Sequence, residues 1–430
     1  MKRPGETTRR ARTGVVDNGD GERPRKRKRI RPSGPWQVQV MSTLPLKALS
    51  RLWGRFNELD IPYYLRVPGF RLYSFIFGVN LDEMEEQDLH KYPNLAKFFY
   101  RTLKPGFGTI DNGEVEQVKG VTYSLDALLG SNPPSRRSSD AGSNISSSPS
   151  SPQPSSERKA METKKSSRLT RSLVVSMVFP IRYPISSQAH PRARRARSWI
   201  SPTPHSASAE AEVRADLELG QRPWWSPMTT PKAHCLYYCV IYLAPGDYHR
   251  FHSPVSWVTE SRRHFAGELY SVSPYLVRTL PGLFTLNERV VLLGRWRWGF
   301  FSYIPVGATN VGSIVINFDR ELRTNSLTTD TAADRAAEEA QRRGEPYSGY
   351  AEATYYGASN VLGGHALKKG EEMGGFQLGS TIVLVFEAPK PQRKSSLDEG
   401  FTGTKGGWKW NIEKGQKLKV GQAIGYVEED

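Results

Sequence analysis

"FQLGSTIVLVFEAP", residues 376–389, sets a Gly-Ser-Thr triplet directly before a run of β-branched and aromatic residues. Ile382, Val383, Leu384, Val385 and Phe386 read as a buried strand, which makes a sheet the organising element of the chain. Gly379-Ser380 is open to two readings. The first is a tight turn feeding the strand, since glycine supplies unusual dihedrals and serine tolerates turns. The second is chemical. A serine hydroxyl held against its own upstream carbonyl can attack that carbonyl and convert amide to ester, and glycine obstructs the attack least. Gly-Ser also occurs at Gly130-Ser131, Gly142-Ser143 and Gly312-Ser313, but only Gly379-Ser380 has Leu before it, Thr after it and a buried strand behind.

Further strands are expected in "CLYYCVIYLAPGDYHRFHSP" (235–254), in "RVVLLGRWRWGFFSYIPVGATNVGSIVINFD" (289–319) and between the glycine turns of 407–430. Helices are expected at 44–59, near Val213 and Leu217, and at 331–343 with a stop at Gly344. In "LPLKALSRLWGRFNEL" (44–59), Leu46, Leu49, Trp53 and Phe56 recur at helical spacing with Lys47, Arg51 and Arg55 between them. That stripe fits either a helix packed on a core or a basic helix lying on a membrane surface. No run approaches the ~20 apolar residues of a membrane-spanning helix.

The formal charge is +17, yet it is localised. Residues 1–35 hold 12 Lys/Arg against 4 Asp/Glu, and residues 158–200 hold 11 against 1, so the remainder is near neutral. That argues against a basic nucleic-acid groove built into the fold. The tail 1–35, with "RPRKRKRIRP" at 23–32, and the Ser/Pro/Arg-rich insertion 131–205 are expected to be disordered, because neither buries enough apolar surface to offset its ordering entropy. The resulting expectation is an α+β fold. A helical part and the first strands occupy 36–130, and a β-rich catalytic part occupies 206–430.

His249 and His252 stand three residues apart in what reads as a loop, and a histidine titrates where it can take a proton from a serine. The alternatives are a solvent-exposed pair or a metal site shared with His264 or Cys235. The spacing of Cys235 and Cys239 is not that of a zinc knuckle, and no metal is expected.

"LGST" before an apolar strand, "YLAPGDYHRFHSP", "HFAGELYSVSP", "LFTLNERVVL" and "VGATNVGSI" together resemble the phosphatidylserine decarboxylases, most of all the mitochondrial (type I) fungal kind. The resemblance covers roughly residues 33–130 and 210–430. It implies a proenzyme that cleaves itself between Gly379 and Ser380 into a β chain, 1–379, and an α chain, 380–430. Ser380 becomes a covalently bound pyruvoyl group that takes up the substrate amine as a Schiff base, and phosphatidylserine is decarboxylated to phosphatidylethanolamine. His252 matches the histidine that acts as base for self-cleavage, and His249 the one that positions substrate or transfers a proton. The implied partners are phosphatidylserine, an anionic membrane surface and the two chains of the heterodimer. The implied place is the mitochondrial inner membrane.

Two departures from the family pattern follow from the same comparison of motifs. The family's Pro-(Ala/Ser)-Asp-Gly motif, which supplies the acid behind the histidine, belongs between Gly106 and Phe107, where this chain runs on directly. Asp20-Gly21 lies in the tail, and Asp111 belongs to the downstream part of the pattern. The alternative reading is therefore a processing-deficient homologue or a mis-spliced product that lacks the triad Asp and is lipid-associated but inactive. The chain as given also starts without the expected targeting and spanning segments, so peripheral binding through 44–59 and 23–32 is expected.

Overall fold

Ser380–Pro389 pairs antiparallel along its length with His234–Leu243, and over most of it with Gly299–Gly307 on the other side, so the apolar run lies inside a sheet. Its β-branched and aromatic side chains suit a strand covered above and below. The computed structural model describes residues 46–105, 122–124, 207–220, 234–280, 282–309, 313–325, 331–345, 347–377, 380–393 and 403–428. The tail 1–35, the Gly106–Phe107 junction and the insertion 131–205 lie outside the described residues, as do Leu378 and Gly379.

In chain order, α1 (Leu46–Glu58), α2 (Tyr63–Phe77) and α3 (Leu95–Phe99) form an N-terminal helical unit. Next come β1 (Thr122–Ser124), α4 (Ala207–Gly220), β2 (His234–Leu243), β3 (Arg250–His252), β4 (Trp257–Phe265), α5 (Pro274–Thr279) and α6 (Leu283–Leu286). They are followed by β5 (Arg289–Trp296), β6 (Gly299–Gly307), β7 (Ile314–Ile316), α7 (Ala332–Arg342), β8 (Ala351–Thr354), β9 (His365–Leu367), β10 (Glu372–Phe376) and β11 (Ser380–Pro389). Short strands close the chain: β12 (Gln392–Arg393), β13 (Thr404–Lys405), β14 (Gly407–Trp410), β15 (Lys417–Leu418) and β16 (Gly425–Glu428). The main sheet runs β15-β1-β2-β11-β6-β5-β4-β8, with β9 also on β4, and a smaller sheet runs β3-β10-β7. This is the α+β, β-rich body expected from the sequence.

Period-two alternation divides β11 between two cores. Ile382, Leu384 and Phe386 join Tyr237, Tyr303 and Trp408 on the face that the smaller sheet covers with Phe251, Ile316 and Phe376. Val383 and Val385 join Val306 and Phe265 beneath Leu276 and Leu283 of α5 and α6. Each such side chain contributes about 1.5–3 kcal/mol when fully buried, so a charge placed mid-strand would be severe. Cys235 and Cys239 both belong to the first core, as their spacing on one strand face requires. The helix α4 packs Val213 and Leu217 on Val258 and Ala366, and α7 opens with a reciprocal Thr331–Asp334 capping box.

The reading of 44–59 as a core-packing helix is overturned. In α1 the inward residues are Ser50 and Asn57, while Leu49, Leu52, Trp53 and Phe56 are exposed. The small and polar side chains let the helix seat closely, and its apolar stripe points away. The unit's own core is made instead by Phe70, Val79, Met84, Leu89, Tyr92 and Phe98. Leu72, Phe75 and Ile76 on α2 are also exposed, Phe75 at 87 %.

Candidate active site

Ser380 opens β11 opposite Leu243 of β2 and Gly307 of β6. Its side chain shares a face with Ile382 and Leu384, is 1 % exposed, and its hydroxyl has no hydrogen-bond partner among the described residues. A buried hydroxyl without a partner costs about 1–3 kcal/mol, a cost that persists where the group has chemistry to do. The described neighbours explain its enclosure. Gly307 offers no side chain beside it, and Leu269 fills that space, its Cδ2 lying 3.1 Å from where a Cβ on Gly307 would stand.

The smaller sheet brings the histidines to the same end of the molecule. Phe376 N donates to His249 O at 2.9 Å, and Gly375 pairs with Arg250. Gly375 has to be glycine, since a Cβ there would lie 2.5 Å from the Tyr100 ring and 2.8 Å from His249 O. By register His249 lies beside Phe376, whereas His252 lies opposite Glu372, four residues further from Ser380.

The two histidines differ in surroundings. His249 is fully buried and makes an edge-to-face contact with Phe99 at 5.0 Å. Its Nδ1 lies 2.7 Å from Asp247 O, and a carbonyl only accepts, so Nδ1 carries the hydrogen and Nε2 the lone pair. That Nε2 has no partner among the described residues. Burial pushes the His249 pKa down to about 3, with the Asp247 carbonyl opposing and the Arg101 charge assisting. His252 is half-buried on β3, with Nδ1 3.0 Å from Gly370 O and Nε2 2.9 Å from the Tyr248 hydroxyl. The Gly370 carbonyl therefore fixes Nδ1–H, and Tyr248 donates to the basic Nε2. The reading of His252 as a loop residue and the alternative of an exposed pair are corrected, whereas His249 does lie in the loop that leads into β3. The β3–β10 ladder makes His252 a strand residue, and the aromatic helical unit seals His249.

Tight packing secures the turn before His249. Ala244 N donates to Asp247 Oδ2 at 2.7 Å, Tyr73 OH donates to Pro245 O at 3.1 Å, and Arg101 Nη2 donates to Gly246 O at 2.9 Å. Burial raises the Asp247 carboxyl pKa to about 7. A Cβ on Gly246 would fall onto the Phe77 carbonyl. Gly246→Ala is expected to cost about 1–3 kcal/mol, because backbone must move to admit it. An unchanged melting temperature would show that the turn yields freely. Neither Tyr73 nor Arg101 was legible as a site residue, since the packing that brings them in joins distant segments, and Tyr248, although it adjoins His249, carried no signal of its own.

Comparison with known proteins covers the segments that carry this geometry. The phosphatidylserine decarboxylase profile matches residues 215–426, which include Ser380 and both histidines. The chain is 40 % identical over 443 residues to a Candida albicans protein named phosphatidylserine decarboxylase proenzyme 1, mitochondrial, covering 92 % of this chain and 71 % of that one. The Schizosaccharomyces pombe and Saccharomyces cerevisiae proteins of the same name are also 40 % identical, over 94 % and 96 % of this chain and 86 % and 78 % of theirs. The chain belongs to the phosphatidylserine decarboxylase family. That family consists of carboxy-lyases of phospholipid biosynthesis, and these relatives are named as mitochondrial proenzymes. Among the described residues no helix is long and apolar enough to cross a membrane.

Proposed function

We propose that this chain is a phosphatidylserine decarboxylase proenzyme that matures by cleaving itself between Gly379 and Ser380. The observation that carries the reading is the buried, unpartnered Ser380 hydroxyl at the head of the central strand, in a chain 40 % identical to proteins named as proenzymes. Ser380 Oγ adds to the Gly379 carbonyl and the Ser380 nitrogen leaves as an amine. Loss of the Ser380 Cα proton then expels Gly379 as a carboxylic acid, and water displaces the nitrogen as ammonia. His252 is the base for the first step, exchanging the Tyr248 hydroxyl for that of Ser380. The residues fit a pyruvoyl group at position 380, because the serine it derives from is buried with its hydroxyl unpartnered among the described residues. Once formed, such a group supplies an electron sink for the carboxylate that leaves as carbon dioxide. His249 Nε2, neutral and unpartnered, is placed to accept a hydrogen bond from the substrate headgroup or to pass a proton.

The test is to incubate purified full-length chain with phosphatidylserine vesicles and follow phosphatidylethanolamine and protein mass together. Lipid conversion with a cleaved chain is expected. Conversion by an uncleaved chain would overturn the route through Ser380, and no conversion by a cleaved chain would overturn the substrate. The absence of both is what the processing-deficient reading expects.

Within this proposal the outward apolar faces of α1 and α2 meet an anionic membrane, in mitochondria the inner membrane. Their exposed Trp53, Phe56, Phe75 and Ile76, with Arg55 on α1, support an interfacial seat. Phe75→Ser with Ile76→Ser is expected to weaken binding to phosphatidylcholine/phosphatidylserine vesicles at least about tenfold, since each inserted side chain contributes upward of ~1.4 kcal/mol. Binding should also weaken with salt. Equal sedimentation of parent and variant with vesicles would place the contact elsewhere.

A further inference from the structure

Among the contacts that the N-terminal helical unit makes with the site, one is made by a buried cation. Arg101 follows α3, is 5 % exposed, and lies 145 residues or more in sequence from the turn it holds. Its Nη2 donates to Gly246 O at 2.9 Å and to Asp247 O at 3.1 Å. The second of these carbonyls is the one that accepts His249 Nδ1–H at 2.7 Å. One oxygen with two lone pairs thus receives a guanidinium on one side and an imidazole on the other. Stability alone is a poor account of this arrangement. A buried cation carries a desolvation penalty, and an apolar side chain of similar volume is often neutral or better in such a place.

We propose that Arg101 is a positioning residue for His249: it anchors the carbonyl that fixes the Nδ1–H tautomer. The proposal rests on the reading of His249 as the group that meets the substrate headgroup. The other groups facing this pair are accounted for by their own partners. The Asp247 carboxyl accepts from Ala244 N, the Tyr248 hydroxyl meets His252, and Arg250 is held by Glu372 and Tyr100 O. The Phe99 ring closes the remaining described side of His249. Around Arg101 itself burial opposes the charged guanidinium, while Tyr73, Tyr92, the Asp247 carboxyl and Glu83 favour it. A positive charge beside an imidazole disfavours a second proton. Burial and Arg101 therefore act on His249 in the same direction, and the helical unit that carries the outward apolar face also sets the histidine.

The experiment uses full-length chain carrying Ser380→Ala, labelled with ¹⁵N-histidine, so that the His249 tautomer and titration are read by NMR without any turnover. Arg101→Lys keeps a charge, Arg101→Gln keeps a donor without charge, and Arg101→Met keeps volume alone. In the Arg101 parent, His249 is expected to remain the neutral Nδ1–H tautomer across the accessible acid range. In Arg101→Met its protonation should begin at least about one pH unit higher or its tautomer become mixed, while Arg101→Lys should resemble the parent. If Arg101→Met does not fold, Arg101→Gln decides by the same shift in titration. Unchanged tautomer and titration in the folded uncharged variant would overturn the proposal. A parallel assay of processed enzymes with Ser380 intact is expected to give a roughly tenfold lower kcat with KM for phosphatidylserine unchanged in the uncharged variant. A shifted titration with unaltered kcat would sustain the positioning role and overturn the reading of His249 on which it rests.

Discussion

Ser380→Ala is expected to leave one uncut chain, while the parent yields a C-terminal fragment of 51 residues, 380–430. The parent fragment should be blocked at its N-terminus and lighter by one ammonia than the peptide that begins with serine. The expected effect is total for a kinetic reason. Removing the serine nucleophile of a hydrolytic triad costs on the order of 10⁶ in rate, and self-cleavage is a single turnover with no later cycles to recover the loss. The fold should survive, because alanine removes only a hydroxyl that has no partner among the described residues, and the neighbours Leu243 and Leu269 are apolar. The variant is therefore expected to melt at or slightly above the parent proenzyme, since an unsatisfied buried hydroxyl is gone. A fragment of the same mass from Ser380→Ala would mean that another residue or an external protease makes the cut. A parent that stays intact in the same assay is the outcome the processing-deficient reading expects.

The sheet was legible because its strands announce themselves locally. Ile382–Phe386 is apolar on both faces and proves to be an interior strand, and the periodicity of Val213 and Leu217 marks α4 on the main sheet. Direction was less legible than period. The stripe Leu49, Trp53 and Phe56 identifies a helix, yet nothing local states that Ser50 and Asn57 are the residues that turn inward. That decision belongs to what α1 packs against and to what covers its other side. The histidines repeat the lesson at the site. The sequence shows two of them three residues apart, while their difference in burial comes from β10, about 120 residues away, and from Phe99 and Arg101, about 150 residues in the other direction. The acid expected behind His252 falls at Gly106–Phe107, outside the described residues. What the structure adds is that His252 is not left without orientation: the Gly370 carbonyl holds Nδ1 and Tyr248 occupies Nε2. A carbonyl fixes a tautomer as a carboxylate does but brings no full negative charge to stabilise an imidazolium. On that ground a slower maturation than in a family member with the acid is expected.

The two histidines are expected to separate the two reactions. His252→Ala should abolish cleavage, whereas His249→Ala should still be cut and should lose about 10²–10⁴-fold in carbon dioxide release. Register alone argues the other way, because His249 lies beside Phe376 whereas His252 lies opposite Glu372, further down β10 from Ser380. Protonation decides. A base for serine attack must end the step as an imidazolium, and burial holds the His249 pKa at about 3, well below its ordinary 6.5. That depression corresponds to roughly 5 kcal/mol against the charged form. His252 is only half-buried, carries its lone pair on Nε2, and needs to exchange one hydroxyl, that of Tyr248, for another. Tyr248→Phe should therefore leave cleavage as fast as in the parent or faster, since the competing donor is removed. For the second reaction the same burial becomes useful, because a histidine that resists protonation presents Nε2 as an acceptor throughout the physiological range. The measurement is a denaturing-gel time course for each single variant, followed by a decarboxylation assay on whichever variants are cut. Cleavage blocked in His249→Ala but not in His252→Ala would reverse the assignment, and equal loss in both would make the pair a single unit in which neither residue has a reaction of its own.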